Sequence, residues 1–64
     1  MNKKEFIIAE IRSRIEEIER LGLKPSFVEG FINGAMYAGA INADEYKTLL
    51  HELWDAIDLK YTKD

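Results

Sequence analysis

Isoleucines recur every three or four residues along the first third of the chain and form one apolar stripe on a helix. The stripe consists of Ile8, Ile11, Ile15 and Ile18, with Ile7 beside it. Charged residues occupy the other faces. The pattern predicts a long helix 1 from Lys3 to Leu21, followed by Gly22 in the left-handed conformation that ends many helices.

A second segment is almost free of charge, since Glu29 is the only charged residue between Phe27 and Ile41. On a helix, its large apolar residues and Ala35 fall within an arc of about 140°: Phe27, Val28, Phe31, Ile32 and Ala35. Gly30, Gly34 and Ala38 form a ridge of small residues beside that arc. The pattern predicts a short, apolar helix 2 from Phe27 to Ala38, which Gly39 ends.

The last third of the chain is amphipathic with a helical period. Its apolar stripe consists of Tyr46, Leu50, Leu53, Ile57 and Tyr61, with Leu49 and Trp54 on the flanks. The opposite side carries Asp44, His51, Asp55 and Asp58. The pattern predicts a long helix 3 from Ala43 to Tyr61.

Three segments have the form of a capping box, in which a capping side chain lies three residues before a Glu. The pairs are Asn2 with Glu5, Ser26 with Glu29, and Asn42 with Glu45. Each pair satisfies two backbone N–H groups at a helix start. The three boxes support an all-α fold: one small domain of three helices over residues 1–64.

A 64-residue chain buries a small core, and chains of this size usually depend on disulfides, a metal or oligomerisation. The chain has no cysteine and one His, which argues against disulfides and zinc. We therefore expect an oligomer or a complex with another protein.

Gly30 and Gly34 each cost about 1 kcal/mol relative to Ala inside a helix. Close approach of another backbone would offset this cost, because glycine has no Cβ. Two interpretations stay open: the contact lies within the chain, or it lies across an interface between chains.

The net charge of −3 lies in the second half of the chain. Residues 1–32 hold six basic and six acidic side chains, whereas residues 33–64 hold three and six. An acidic protein is a poor ligand for nucleic-acid phosphates. No apolar run is long enough to span a membrane, and Glu10 interrupts the first one too early for a signal peptide. We expect a soluble, cytoplasmic protein.

Residues that carry catalysis are sparse. His51 and Asp55 are four residues apart on one predicted helix face, where they could offer two metal ligands, but no third ligand accompanies them. Such a pair is more typical of a solvated helix surface. No activated Ser nucleophile and no phosphate-binding glycine loop is recognisable. We expect no enzyme activity and no cofactor or metal.

Residues 38–50 resemble the short C-terminal (SHOCT) motif. In that motif a Gly and an apolar residue precede a helix cap, an acidic pair, an aromatic residue and a Leu-rich helix. The matching residues are Gly39, Ile41, Asp44, Glu45, Tyr46 and Leu50, and Asn42 replaces the usual Thr. The resemblance implies a role in oligomerisation or protein interaction, without catalytic residues.

The first functional hypothesis is a non-catalytic protein–protein interaction module that forms a homodimer through helix 2. The expected interaction residues of this dimer are those of helix 2 and the flank of helix 3: Phe27, Gly30, Phe31, Gly34, Tyr37, Ala38 and Trp54. The second is an inhibitor or regulator, of the kind that phages and mobile elements encode, that docks the acidic face of helix 3 on a larger host protein. Asp55 and Asp58 are expected interaction residues of the second hypothesis. The third is an RNA-binding helical dimer that uses the basic residues of helix 1.

Overall fold

The computed structural model of the chain describes residues 2–62, and for residues 60–62 it describes the backbone alone. The fold consists of three helices: α1 (Lys3–Leu21), α2 (Pro25–Tyr37) and α3 (Ala43–Thr62). Each helix packs against the other two, and residues 2–62 contain no strand. The prediction of an all-α, three-helix architecture is confirmed. None of the helices in this part of the chain is both long and apolar enough to cross a lipid bilayer.

Capping boxes start α1 and α3, as the sequence predicts. At α1, Asn2 Oδ1 accepts from the backbone N–H of Glu5 at 2.8 Å, and Glu5 accepts from the backbone N–H of Asn2 at 3.2 Å. At α3, the same two bonds join Asn42 and Glu45, both at 2.8 Å. These local bonds fix where the first and third helices begin.

The predicted capping box at Ser26 and Glu29 is wrong. Helix α2 begins at Pro25, and the capping position falls on Lys24, whose side chain makes no capping bond. Proline suits the first position of a helix, because its φ angle is already helical and its missing N–H would have no partner there. Pro25 therefore moves the helix start two residues ahead of the predicted one, and Ser26 lies inside the first turn.

Two glycines end the first two helices, as predicted. Gly22 and Gly39 have φ angles of 76° and 77°, in the left-handed region that favours glycine. After α2, the Ala40 N–H donates to the Ala35 carbonyl at 2.9 Å and the Gly39 N–H donates to the Met36 carbonyl at 3.0 Å. These two bonds form a Schellman motif, which turns the chain sharply toward α3.

Among the described side chains, nine are buried and form the core, contributed by all three helices and the turn before α3: Ile11, Ile15, Ile18, Val28, Ile32, Ala35, Ile41, Leu49 and Leu53. The predicted stripe of α1 supplies three of them. The predicted stripe of α3 is displaced, because Leu49 lies at its buried centre, whereas Leu50 and Ile57 are half-buried. Helix α3 packs against both other helices, so its buried face points between them. The side chain of Tyr61 lies outside the described residues.

Candidate functional site

The outward face of α2 carries large apolar side chains in contact with solvent. Val28, Ile32 and Ala35 point into the core. On the other side of the same helix, Phe27 is 73% exposed, Tyr37 is 85% exposed and Phe31 is 38% exposed. A helix that is apolar all round is normally buried all round, so this exposure marks α2 as the candidate interaction element.

The small residues of α2 lie on this outward face. A Cβ added at Gly30 or Gly34 would meet no atom within 4 Å. The interpretation that these glycines allow close contact within the chain is therefore wrong. They face outward because α2 packs on α1 and α3 through Val28, Ile32 and Ala35, which lie on its other side.

We call this surface the α2 face. It is made of side chains that are exposed and uncharged: Ser26, Phe27, Gly30, Phe31, Gly34, Tyr37 and Ala38. Six of the residues expected from the sequence to mediate interaction thus come together on one side of one helix. Ser26 is an addition, which the sequence had suggested only as a helix cap.

An open groove of ≈ 260 Å³ runs between α1 and α2 at one edge of the α2 face. Leu23, Phe27, Val28 and Phe31 line it, and Arg14 and Glu17 form its α1 side. Arg14 also pairs with Glu10 at 3.3 Å and with Glu17 at 3.4 Å, so the groove has an apolar floor and an ion-paired wall. Sequence reasoning missed this groove, because only the packing of α1 against α2 brings its walls together.

The opposite edge of α2 faces α3. The hydroxyl of Tyr46 donates a hydrogen bond to Asn33 Oδ1 at 2.8 Å across this junction. At 100° per residue, Phe31 lies about 160° around the helix from Asn33. The exposed phenylalanines therefore lie on the α1 side of α2, away from this junction with α3.

Trp54, Asp55 and Asp58, the other expected interaction residues, are exposed on α3. Trp54 is 50% exposed and its ring lies 5.6 Å from the ring of His51, with 32° between the two planes. His51 thus contacts Trp54, and the described side chains contain no group of three or more His, Asp or Glu that could hold a metal ion.

Among the described side chains, two ion pairs join α1 to α3, and the sequence pattern did not predict them. The guanidinium of Arg12 donates two hydrogen bonds to Glu52, at 3.0 and 2.9 Å. The hydrogen bonds and the charge of Glu52 raise the pKa of Arg12 above its ordinary value. Lys4 lies 3.4 Å from Glu45.

The pKa of Glu45 lies below its ordinary value. The main cause is the hydrogen bond that its carboxylate accepts from the backbone N–H of Asn42. Partial desolvation opposes this effect, and the hydrogen bond and charge of Lys4 reinforce it. These electrostatic effects belong to helix capping and helix packing, so they give no indication of catalysis.

The chain matches no family model, and no curated protein and no solved structure is significantly similar to it.

Proposed function

We propose that this chain is a non-catalytic protein–protein interaction module that binds through the α2 face. The observation that carries the proposal is the exposure of Phe27 and Tyr37 on a helix face without charge. Aromatic side chains are enriched in the buried centres of protein interfaces, and charged residues are depleted there. The resemblance of residues 38–50 to the SHOCT motif supports the same kind of role.

The exposed area is large enough to matter energetically. At roughly 200 Å² for a whole aromatic side chain, Phe27, Phe31 and Tyr37 expose about 400 Å² per chain. Covering this area on two chains would contribute about 20 kcal/mol at 25 cal/mol per Å². Association itself costs an estimated 4–15 kcal/mol, and ordering of side chains costs more. The balance favours a weak or moderate complex, and the partner that we propose first is a second copy of the chain.

Docking of the acidic face of α3 on a larger host protein, as an inhibitor or regulator, is the second candidate. Its support is that Asp44 and Asp55 are exposed on the outer side of α3, in the half of the chain that carries the net negative charge. Such a complex would weaken as salt is added, because exposed charges are screened.

RNA binding through α1 has less support. Arg12 is paired with Glu52, Arg14 with Glu10 and Glu17, and Lys4 with Glu45. A phosphate would have to displace these carboxylates, which lowers the net gain from each contact.

Molar mass measured by light scattering across a concentration series tests the proposal. We expect the mass to rise from 7.4 kDa toward twice that value as the concentration increases. Tyr37→Lys places a charge in the α2 face and should return the chain to a monomer. Thr48→Lys adds the same charge at an exposed site on α3 and should leave the mass unchanged. Equal effects of the two variants, or a monomer at every concentration, would contradict self-association through this face.

A further inference from the structure

An asparagine is followed directly by a glycine once in the chain, at Asn33 and Gly34 in the middle of α2. The other two asparagines, Asn2 and Asn42, are helix caps, and the side-chain oxygen of each accepts a backbone N–H at 2.8 Å. Each of these caps is followed by a residue that has a side chain. Asn33 is therefore the asparagine whose neighbouring backbone nitrogen is least hindered.

The asparagine–glycine sequence is the one most prone to deamidation. The glycine nitrogen attacks Cγ of the asparagine side chain, because glycine has no Cβ to block the approach and its backbone turns freely. A bond forms between this nitrogen and Cγ, and the bond between Cγ and Nδ2 breaks. Nδ2 leaves as ammonia with the proton of the glycine N–H, and a succinimide ring remains. Water then opens the ring at either of its two carbonyl carbons, which gives aspartate or isoaspartate.

Helix α2 holds Asn33 and Gly34 in an unreactive geometry. Within a helix the Gly34 N–H bonds to the carbonyl of Gly30, and the ψ angle of Asn33 is about −42°. Ring closure requires this ψ angle to leave the helical region and the Gly34 N–H to lose its bond. From α3, the Tyr46 hydroxyl donates a hydrogen bond to Asn33 Oδ1 at 2.8 Å. The reaction therefore requires α2 to open around Asn33.

Several features favour the opening of α2. Gly30 and Gly34 lower its helix propensity, and the side chain of Lys24 at its start makes no capping bond. The two ion pairs described above join α1 to α3 and do not involve α2. Apart from adjacent residues and the helix's own backbone, no described atom lies within 4 Å of a Cβ built at Gly34. Local opening of such a segment needs less free energy than global unfolding.

We propose that Asn33 is a modification site, which deamidates through a succinimide with Gly34 when α2 opens and which the Tyr46 hydroxyl protects. This inference goes beyond the proposed function, and it does not depend on which partner covers the α2 face.

The isoaspartate product would disrupt α2. It adds one carbon to the backbone between Ile32 and Ala35, which are both buried in the core. The two side chains can no longer keep the helical spacing that places them on one face. The aspartate product instead adds a negative charge at the junction of α2 and α3. Each chain that forms isoaspartate at position 33 thus loses the α2 face irreversibly.

Peptide mapping by mass spectrometry, after incubation in mildly alkaline buffer, measures the rate of deamidation at each asparagine. The protein is kept below the concentration at which light scattering detects association, so that the result is independent of self-association. We expect Asn33 to react before Asn2 and Asn42 and to give both aspartate and isoaspartate. The same chain unfolded in urea should react faster at Asn33, because the helix no longer restrains it.

Three variants test the control by α2. Tyr46→Phe removes the hydrogen bond to Asn33 and should raise the rate about fivefold. Arg12→Glu is the matched control, because it weakens a contact between α1 and α3 that stays formed when α2 opens, so its rate should equal that of the parent chain. Gly34→Ala hinders the attack and strengthens the helix, and should slow the reaction by at least about fivefold.

Equal rates in Tyr46→Phe and the parent chain would overturn the protection by the Tyr46 hydroxyl. Equal acceleration in Tyr46→Phe and Arg12→Glu would show that global unfolding, rather than opening of α2, controls the reaction. If Asn33 stays intact in the folded chain while it reacts in urea, the site itself is refuted.

Discussion

The guanidinium of Arg12 donates two hydrogen bonds to the carboxylate of Glu52, a residue 40 positions away in the sequence, and so joins α1 to α3. The side chains are 54% and 37% exposed, so water competes with the pair. Exposed ion pairs contribute about 0.2–1 kcal/mol, and the two-bond geometry favours the upper part of this range.

Reversal of one charge should show the effect of this pair on stability. Arg12→Glu places two carboxylates together, and we expect the free energy of unfolding to fall by about 1 kcal/mol. Adding Glu52→Arg to the same chain should recover most of the loss. The stability difference between Arg12→Glu and the parent chain should shrink in 1 M salt. Urea denaturation of the parent chain, Arg12→Glu and the double variant measures the three free energies of unfolding. A double variant no more stable than Arg12→Glu alone would show that the contact contributes nothing.

Removal of the Tyr46 hydroxyl tests the polar contact between α2 and α3. Tyr46→Phe keeps the ring and deprives Asn33 Oδ1 of its donor, so we expect a loss of about 1 kcal/mol in unfolding free energy. Tyr37→Phe is the matched control, because Tyr37 is exposed on α2 and its hydroxyl contributes little to the fold. Equal stability of the two variants in urea denaturation would contradict a stabilising Tyr46–Asn33 bond.

The lowered pKa of Glu45 predicts a dependence of stability on pH. A carboxyl with a lower pKa in the folded state stabilises the fold fully above its unfolded pKa, about 4.3. This contribution is lost as the pH falls from the unfolded pKa through the lower pKa of the folded state. Glu45→Gln keeps an acceptor for the Asn42 N–H but has no charge. We expect its melting temperature to decline less than that of the parent chain between about pH 5 and 3. Identical declines in the melting temperatures of the two chains would contradict a stabilising role for the Glu45 carboxylate.

Alanine at Gly30 or Gly34 should separate stability from association. Each replacement gains about 0.8–1 kcal/mol of helix propensity, and no atom opposes the added Cβ within the chain. We expect the monomer, measured by denaturation at low concentration, to become more stable while the dimer becomes weaker. Gly39→Ala is the contrast: its positive φ strains an alanine, so the monomer should lose stability. Loss of monomer stability in Gly34→Ala would show that this glycine is needed inside the fold.

The sequence predicts those features that depend on neighbouring residues. Asn2 and Asn42 start helices and Gly22 and Gly39 end them, because the bonds that do so lie within a few residues. The predicted start of α2 is wrong, because Pro25 and Ser26 both signal a helix start and the proline is already in helical geometry.

Features that depend on packing were not predictable in the same way. Arg12 has an acidic neighbour one turn away, yet its partner is Glu52, which only the docking of α3 brings near. The sequence does not determine whether Gly30 and Gly34 face the core or the solvent. Helix α2 is apolar nearly all round, so periodicity alone does not select its inner face.

An NMR dilution series with amide detection tests most directly whether the α2 face is the self-association surface. As the protein concentration rises, we expect amide chemical shifts to change on the outward side of α2, most strongly at Gly30, Gly34 and Tyr37. Residues 44–58 of α3 should change little. Changes confined to α3, or no change across the series, would contradict the account.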